Sequence, residues 1–294
     1  MQSDIVTRCA PSPTGYLHSG HAYAAGIAFL RSRERPGGRF LLRIEDIDST
    51  RCRPEFITAI FEDLAWLGLS WEQPVRRQSA HFAEYAVALQ DLRQRGLLYP
   101  CFCTRKQIQA EIAAAGHAPH GFEGAIYPGT CRHLDEDERQ TRMASGEAYA
   151  LRLDIAAACR QVGEWPLQWH DAEAGVQSVT PDLLLRGYGD VVLARKEIPA
   201  SYHLCVCHDD ALQGVTLVTR GKDLFAATHL HRLLQALFAW PVPSYAHHRL
   251  LLDNTGARLA KRKNAESLRD QRKAGLAPAE IWRQTGLDPA AFGF

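Results

Sequence analysis

Ile5-Val6-Thr7-Arg8-Cys9-Ala10, then Pro11-Ser12-Pro13-Thr14-Gly15, then His18-Ser19-Gly20-His21 is the stretch whose reading decides the fold. The first six residues are β-prone, and the Pro/Gly pentapeptide breaks them. A helix-compatible segment runs from about Gly20 to Arg35 and closes at Pro36-Gly37-Gly38. A second strand, Arg39 to Ile44, follows at once. Strand, helix and strand with short connections make the βαβ unit of a parallel sheet. Open α/β sheets bind ligands where a strand end meets a helix start, and the free backbone N–H groups there attract phosphate. His18 and His21 add donors for phosphate oxygens, and Gly15 and Gly20 let backbone approach a ligand closely. Taken alone, the turn is also compatible with two surface histidines beside a Pro/Gly bend.

Outward from this unit the texture stays α/β. Pro54 suits the start of a helix, with Phe56, Ile57, Ile60, Leu64 and Leu67 at helical spacing. Another helix covers about Ser79 to Arg95. From about 100 to 195 the pattern changes, with a cysteine cluster, a Gly/His/Pro-rich patch from Gly116 to Gly129 and a strand-like alternation at Tyr149 to Ile155. This stretch reads as an insertion. Near Tyr202 the α/β texture returns, with a strand at Val215 to Thr219 and an amphipathic helix at Leu224 to Phe238. The expected organisation is α/β: a Rossmann-like parallel sheet over 1–99 and 196–244, a metal-containing insertion over 100–195 and a basic helical region over 245–294. No internal repeat or low-complexity tract is present.

Bulk properties fit this picture. A 46% hydrophobic and 23% charged chain of 294 residues can bury a sizeable core. A net charge of +1 means that any nucleic-acid surface must be local. No apolar run is long enough to span a membrane, and the start lacks the features of a secretory signal. A cytoplasmic protein, expected to be a monomer, is implied. Its eight cysteines would be reduced there, so a tight group of them points to metal.

The histidine turn resembles the first signature of the glutamyl-tRNA synthetase family of class I aminoacyl-tRNA synthetases, Pro-Ser-Pro-Thr-Gly-x-x-His-x-Gly-His or a close variant. Arg258-Leu259-Ala260-Lys261-Arg262 is similar to that family's Lys-Met-Ser-Lys-Ser type loop, with Arg258 in place of the first lysine and Ala260 in place of the serine. The resemblance implies an ATP site made of Pro11, Thr14, Gly15, His18, Gly20, His21 and Lys261. In it His18, His21 and Lys261 act as catalytic residues, with Mg2+ accompanying ATP. Arg43-Ile44-Glu45-Asp46-Ile47-Asp48 resembles the family's Arg-x-Glu-Asp-x-Asp segment. Tyr202-His203-Leu204 with His208-Asp209-Asp210 and Gly214-Val215-Thr216 resembles the segment that ends in a substrate arginine, here Arg220. Glutamate carries two carboxylates and one ammonium. Two arginines suit the carboxylates, and one carboxylate suits the ammonium. The resemblance implies that Arg8, Ser12, Glu45, Tyr202 and Arg220 contact glutamate.

Cys101-Phe102-Cys103 with Cys131 offers three thiols at spacings that suit tetrahedral zinc. The fourth ligand is open on chemistry, because His133 is the better zinc donor. Short members of the family use a tyrosine four residues before the last cysteine, which implies Tyr127 and one structural Zn2+. Cys205 and Cys207 have no partner nearby and read as core.

The chain ends 33 residues after Lys261, whereas full glutamyl- and glutaminyl-tRNA synthetases continue into an anticodon-binding domain. That length is similar to the short branch of the family, which attaches glutamate to the queuosine base in the anticodon of tRNA(Asp). The expected partners are thus ATP, L-glutamate and the tRNA(Asp) anticodon arm carrying queuosine. Seven Lys/Arg against Glu266 and Asp270 within 258–273 suit phosphate contacts, or a solvated helical face. A minimal enzyme charging a tRNA 3′ end, and an inactive RNA-binding paralogue, are the alternatives.

Overall fold

β1 (Val6–Cys9) and β2 (Arg39–Ile44) pair in parallel, with Val6 opposite Arg39 and Cys9 opposite Leu42. Between them runs α1 (Ser19–Ser32). α2 (Pro54–Trp66) carries Pro54 in its first turn, where no backbone donor is needed. β3 (Glu72–Arg77) then adds to β2, again in parallel. The computed structural model describes residues 4–114, 120–122, 124–251 and 266–294.

A 3-10 turn at Gln78–His81 leads into α3 (Phe82–Gln94). β4 (Leu98–Cys101), α4 (Arg105–Ala114), β5 (His120–Gly121), β6 (Gly124–Ala125), α5 (Glu136–Ala144), β7 (Ala150–Leu153) and α6 (Ile155–Val162) follow. Then come β8 (Leu167–Asp171), β9 (Gly175–Val179), α7 (Pro181–Gly187), β10 (Val191–Ala194) and α8 (Tyr202–Leu212). β11 (Leu217–Gly221), α9 (Ala227–Leu237), β12 (Ser244–His248), α10 (Leu268–Lys273) and α11 (Pro278–Thr285) complete the order.

β3, β2 and β1 form one run of parallel strands; β11, β12 and β8 form another, with β9 added antiparallel at its edge. The runs meet edge to edge: Thr216 N–H donates to the Val6 carbonyl at 3.0 Å, and Val6 N–H donates to the Thr216 hydroxyl at 2.9 Å. The chain order reverses between β1 and β11, so the topological switch point lies there. β10, β7 and β4 form a separate antiparallel sheet. Apolar residues cover both faces of the parallel strands. One core gathers Leu17, Phe29, Leu42, Ile60 and Leu64 around α1 and α2, and the other gathers Tyr85, Leu92, Trp169, Leu204 and Leu233.

The C-terminal helices fasten onto the first βαβ unit. Trp282 is fully buried, stacks on Phe292 at 3.8 Å and donates its indole N–H to the Leu67 carbonyl at 3.2 Å. Gly26 of α1 makes room for it, since a Cβ there would lie 2.8 Å from the Trp282 ring.

Three expectations shift. The strand expected at 215–219 is displaced to Leu217–Gly221. Ser244–His248, of which 245–248 were expected within a helical region, is a strand parallel to β11. The 100–195 stretch supplies the separate antiparallel sheet, but its β8 also pairs in parallel with β12. Among the described residues no helix is long and apolar enough to cross a membrane.

Candidate active site

The histidine turn is held by its own side chains. His18 is the N-cap of α1, and its Nδ1 accepts from Gly20 N–H at 3.0 Å. His21 Nδ1 accepts from His18 N–H at 3.1 Å, and the two rings lie 3.8 Å apart. Removal from water lowers the pKa of His18; the same cause, with its neighbour His18, lowers that of His21. Both are neutral at pH 7. With each Nδ1 accepting, the single ring proton of each sits on Nε2, so each imidazole offers a donor away from the backbone. A Cβ on Gly15 would meet nothing within 4 Å, while one on Gly20 would strike the His18 ring at 2.8 Å. Gly15 thus leaves open space, and Gly20 is required by the cap. Glu45 N–H donates to the Pro11 carbonyl at 3.1 Å, which lays the turn against the end of β2.

The residues expected to contact the amino acid converge at the switch point. Arg8 Nε donates to Asp210 at 3.0 Å, and Nη1 donates to the Thr219 carbonyl at 3.2 Å. Arg43 bridges Asp210 at 2.8 Å and Glu45 at 3.1 Å. Burial favours protonated Asp210, but Arg8 and Arg43 outweigh it and hold the carboxyl below the usual range. For Glu45 burial wins over Arg43 and Arg8 and raises the pKa, so a further cation beside it would stabilise the carboxylate.

Arg220 differs from both other arginines. Its Nε donates to His247 Nε2 at 3.2 Å, Nη1 to His231 Nδ1 at 3.1 Å and Nη2 to Thr228 Oγ1 at 2.6 Å. Tyr202 OH lies 3.5 Å from Nη1, and the guanidinium sits over the Tyr245 ring at 5.3 Å. Arg220 is buried, yet none of these direct partners is a carboxylate. Asp171 stands one ring further away, 2.7 Å from His247 Nδ1. A buried guanidinium whose partners among the described residues are neutral acceptors is poised to take an anion.

Above this cluster opens a cavity of about 580 Å³ lined by Ser12, Thr14, Glu45, Tyr202 and His203 on one side and by Tyr127, Arg152, Tyr188 and Asp190 on the other. Arg8, Arg220, His18 and His21 are not in the lining; Arg220 Nη1 reaches the lining residue Tyr202 at 3.5 Å. Lys261, with Arg258 and Ala260, lies outside the described residues. Both flanks of that segment reach the start of α1. His248 and Arg249 pack on Tyr23 at 5.1 and 5.3 Å, and Leu268 N–H donates to the Leu17 carbonyl at 2.7 Å.

Cys101, Cys103 and Cys131 bring their sulfurs within 4.8 Å of one another. Tyr127 OH lies 3.5 Å from Cys103 Sγ and accepts from Cys131 N–H at 2.8 Å. His133 is exposed and is not part of this group. Three thiols and a phenol oxygen converging on one point fit a tetrahedral ion. Arg152 covers the Tyr127 ring at 3.9 Å and donates to the Asp190 carbonyl at 2.8 Å, which links the cluster to the cavity wall. Cys205 and Cys207 are buried on α8, as expected of core cysteines.

Asp171, Thr228, His231, His247 and Asp210 were not among the residues singled out from sequence. For Asp210 a signal existed, since it lies in the quoted His208-Asp209-Asp210 segment. His247 sits in Ser244-Tyr245-Ala246-His247-His248, which carries no strand-like alternation of apolar residues.

A family model described as the class I tRNA synthetase (E and Q) catalytic domain matches residues 4–284. The chain belongs to this family. Over 288 residues it is 48% identical to the "Glutamyl-Q tRNA(Asp) synthetase" of Rhodobacter capsulatus, covering 96% of this chain and 100% of that protein. It is 35% identical over 280 residues to the "Glutamate--tRNA ligase" of Aquifex aeolicus, covering 95% of this chain and 56% of that one. The solved glutamate tRNA ligase of Elizabethkingia meningosepticum, in complex with its amino acid, is similar with a TM-score of 0.70 at 27% identity. That similarity covers 93% of this chain and 54% of the ligase, so the chain spans about half the length of that protein. The methionyl-tRNA synthetase of Mycobacterium tuberculosis shares the fold, with a TM-score of 0.60 at 10% identity.

Proposed function

We propose that this member of the class I tRNA synthetase family is a ligase that activates glutamate with ATP and transfers the glutamyl group to the queuosine base in the anticodon of tRNA(Asp). The observation that carries the acceptor is the similarity, over the full length of the relative, to a protein named for that reaction. The observation that carries the amino acid is Arg220, a buried guanidinium whose direct partners among the described residues, Tyr202 included, are neutral. The side-chain γ-carboxylate of glutamate supplies an anion; glutamine, with a neutral amide in its place, does not.

In this reading the substrate ammonium lies against Glu45, and Arg8, Ser12, Tyr202 and Arg220 orient the carboxylates. An oxygen of the α-carboxylate attacks the α-phosphorus of ATP, the bond to the bridging oxygen breaks, and pyrophosphate leaves. His18 and His21 donate from Nε2 to phosphate oxygens, and Lys261 neutralises charge from its loop. Pro11, Thr14, Gly15 and Gly20 shape the turn. Mg2+ bound with ATP supplies further charge neutralisation. The residues act by positioning and by charge placed where it develops. A hydroxyl of the acceptor then attacks the glutamyl carbonyl, and AMP leaves. Cys101, Cys103, Tyr127 and Cys131 would hold a structural Zn2+ that cross-links the 100–195 stretch. Glutamate-dependent exchange of pyrophosphate into ATP, assayed beside glutamine and aspartate, tests the activation step. Exchange with glutamate alone is expected; equal exchange with glutamine would overturn the role of Arg220.

A further inference from the structure

Arg220 donates through every nitrogen, and this fixes the protons of the histidines around it. Its Nε–H points at His247 Nε2 at 3.2 Å, so Nε2 must carry a lone pair. The proton of His247 therefore sits on Nδ1 and is given to Asp171 Oδ2 at 2.7 Å. Asp171 is anchored in turn. Its Oδ1 accepts from Glu173 N–H at 3.0 Å and from Ala174 N–H at 2.9 Å, both in the β8–β9 turn, and its Oδ2 also accepts from His247 N–H at 3.2 Å. All these side chains are almost fully buried, so water cannot replace a lost partner. On the other flank His231 Nδ1 accepts from Arg220 and its Nε2 faces His203 Nδ1 at 3.1 Å, with His203 lining the cavity.

We propose that Asp171 and His247 are positioning residues that lock Arg220 into the orientation in which it receives the substrate carboxylate. They set the selectivity for glutamate over its amide. Asp171 accepts the Nδ1 proton and so leaves Nε2 bare toward Arg220. With the opposite tautomer, two N–H donors would face each other at hydrogen-bond distance, and the guanidinium would turn away. The lock thus comes from β8, a strand in the stretch that separates the two halves of the nucleotide fold. This inference rests on the proposed contact between Arg220 and glutamate.

Asp171→Asn is the decisive substitution. Asn keeps an oxygen for the Glu173 and Ala174 donors but turns an NH2 toward His247, which drives the ring proton to Nε2. The Michaelis constant for glutamate in pyrophosphate exchange is expected to rise about tenfold or more, with that for ATP unchanged within about twofold, and discrimination against glutamine is expected to fall. His247→Gln presents an amide oxygen to Arg220 and an amide N–H to Asp171, so it is expected to recover most of the glutamate affinity that His247→Leu loses. In the unsubstituted protein, 15N NMR of the imidazoles is expected to show His247 protonated on Nδ1; a proton on Nε2 would overturn the lock without any variant. An unchanged glutamate constant in Asp171→Asn, or a parallel rise for glutamate and ATP, would also overturn it. Arg220→Lys separates the two levels. If it raises the glutamate constant while Asp171→Asn does not, only the lock fails. If it leaves the constant unchanged, the contact between Arg220 and glutamate fails, and the lock with it.

Discussion

Replacing Gly20 with Ala separates stability from function at the nucleotide turn. A Cβ at this position lies 2.8 Å from His18 Cε1 and 3.0 Å from Nδ1. Ordinary carbon contacts begin near ~3.5 Å, so the ring must retreat by roughly 0.7 Å and give up its bond to the residue 20 N–H. Losing an N-cap bond costs about 1 kcal/mol. Exchanging Gly for Ala within a helix returns up to about 1 kcal/mol. The two nearly cancel, and the melting temperature is expected to move by less than about 4 °C. Catalysis has no such compensation. Nε2 of His18 moves with its ring, and a displacement approaching 1 Å at the proposed phosphate contact costs about 10- to 100-fold. The expected result is therefore a fall of that size in kcat/KM for ATP, measured by pyrophosphate exchange, in a protein of nearly unchanged melting temperature. His18→Ala combined with Gly20→Ala is expected to be far less than additive, because both remove the same contact. An ATP kcat/KM within about threefold of the parent would refute the reasoning, as would a melting temperature lowered by more than about 8 °C.

Other substitutions probe the metal site, a buried histidine and the C-terminal anchor. Cys131→Ser removes one of three thiols and is expected to reduce bound zinc from about one per chain to nearly none by elemental analysis, with a lower melting temperature. Burial lowers the pKa of His247 to about 4, against about 6.5 when unfolded. A depressed pKa gives stability that is fully present above the unfolded value and is lost as pH falls toward the folded one. Between pH 7 and pH 5, urea unfolding should show the parent losing about 2 kcal/mol more than His247→Gln; equal losses would contradict the assignment. Trp282→Ala empties the pocket formed by Gly26, Leu67 and Phe292 and is expected to cost about 3–5 kcal/mol in urea unfolding.

The βαβ unit was legible because its signals are local: β-prone residues, a Pro/Gly break, and a helix-compatible segment closed by Pro36-Gly37-Gly38. β12 was hidden because a polar network occupies part of its buried face. Tyr245 belongs to the core and also lies under Arg220, while the inward position of His247 is filled by a polar partner of Arg220, so no alternation of apolar residues marks the strand. The parallel role of β8 was hidden for another reason. One strand within a stretch of different texture shows its partner only once the chain has folded back, and pairing in parallel with β12 is a non-local fact. Candidate site residues could be named from sequence where motifs carry them, at His18, Glu45, Tyr202 and Arg220. What sequence did not supply is the set of buried acceptors that decides which way Arg220 points. Asp171, Thr228, His231 and His247 come from separate elements and share no spacing.

The central claim is the acceptor, and transfer of radiolabelled glutamate tests it most directly. Purified tRNA(Asp) with queuosine, tRNA(Asp) without it and tRNA(Glu) are each incubated with the protein, ATP and labelled glutamate. Label on queuosine-containing tRNA(Asp) alone is the expected result. Label on tRNA(Glu) would contradict it and make the chain an enzyme that charges a tRNA 3′ end, and no label on any of the three, with no pyrophosphate exchange, would leave an RNA-binding paralogue without activity.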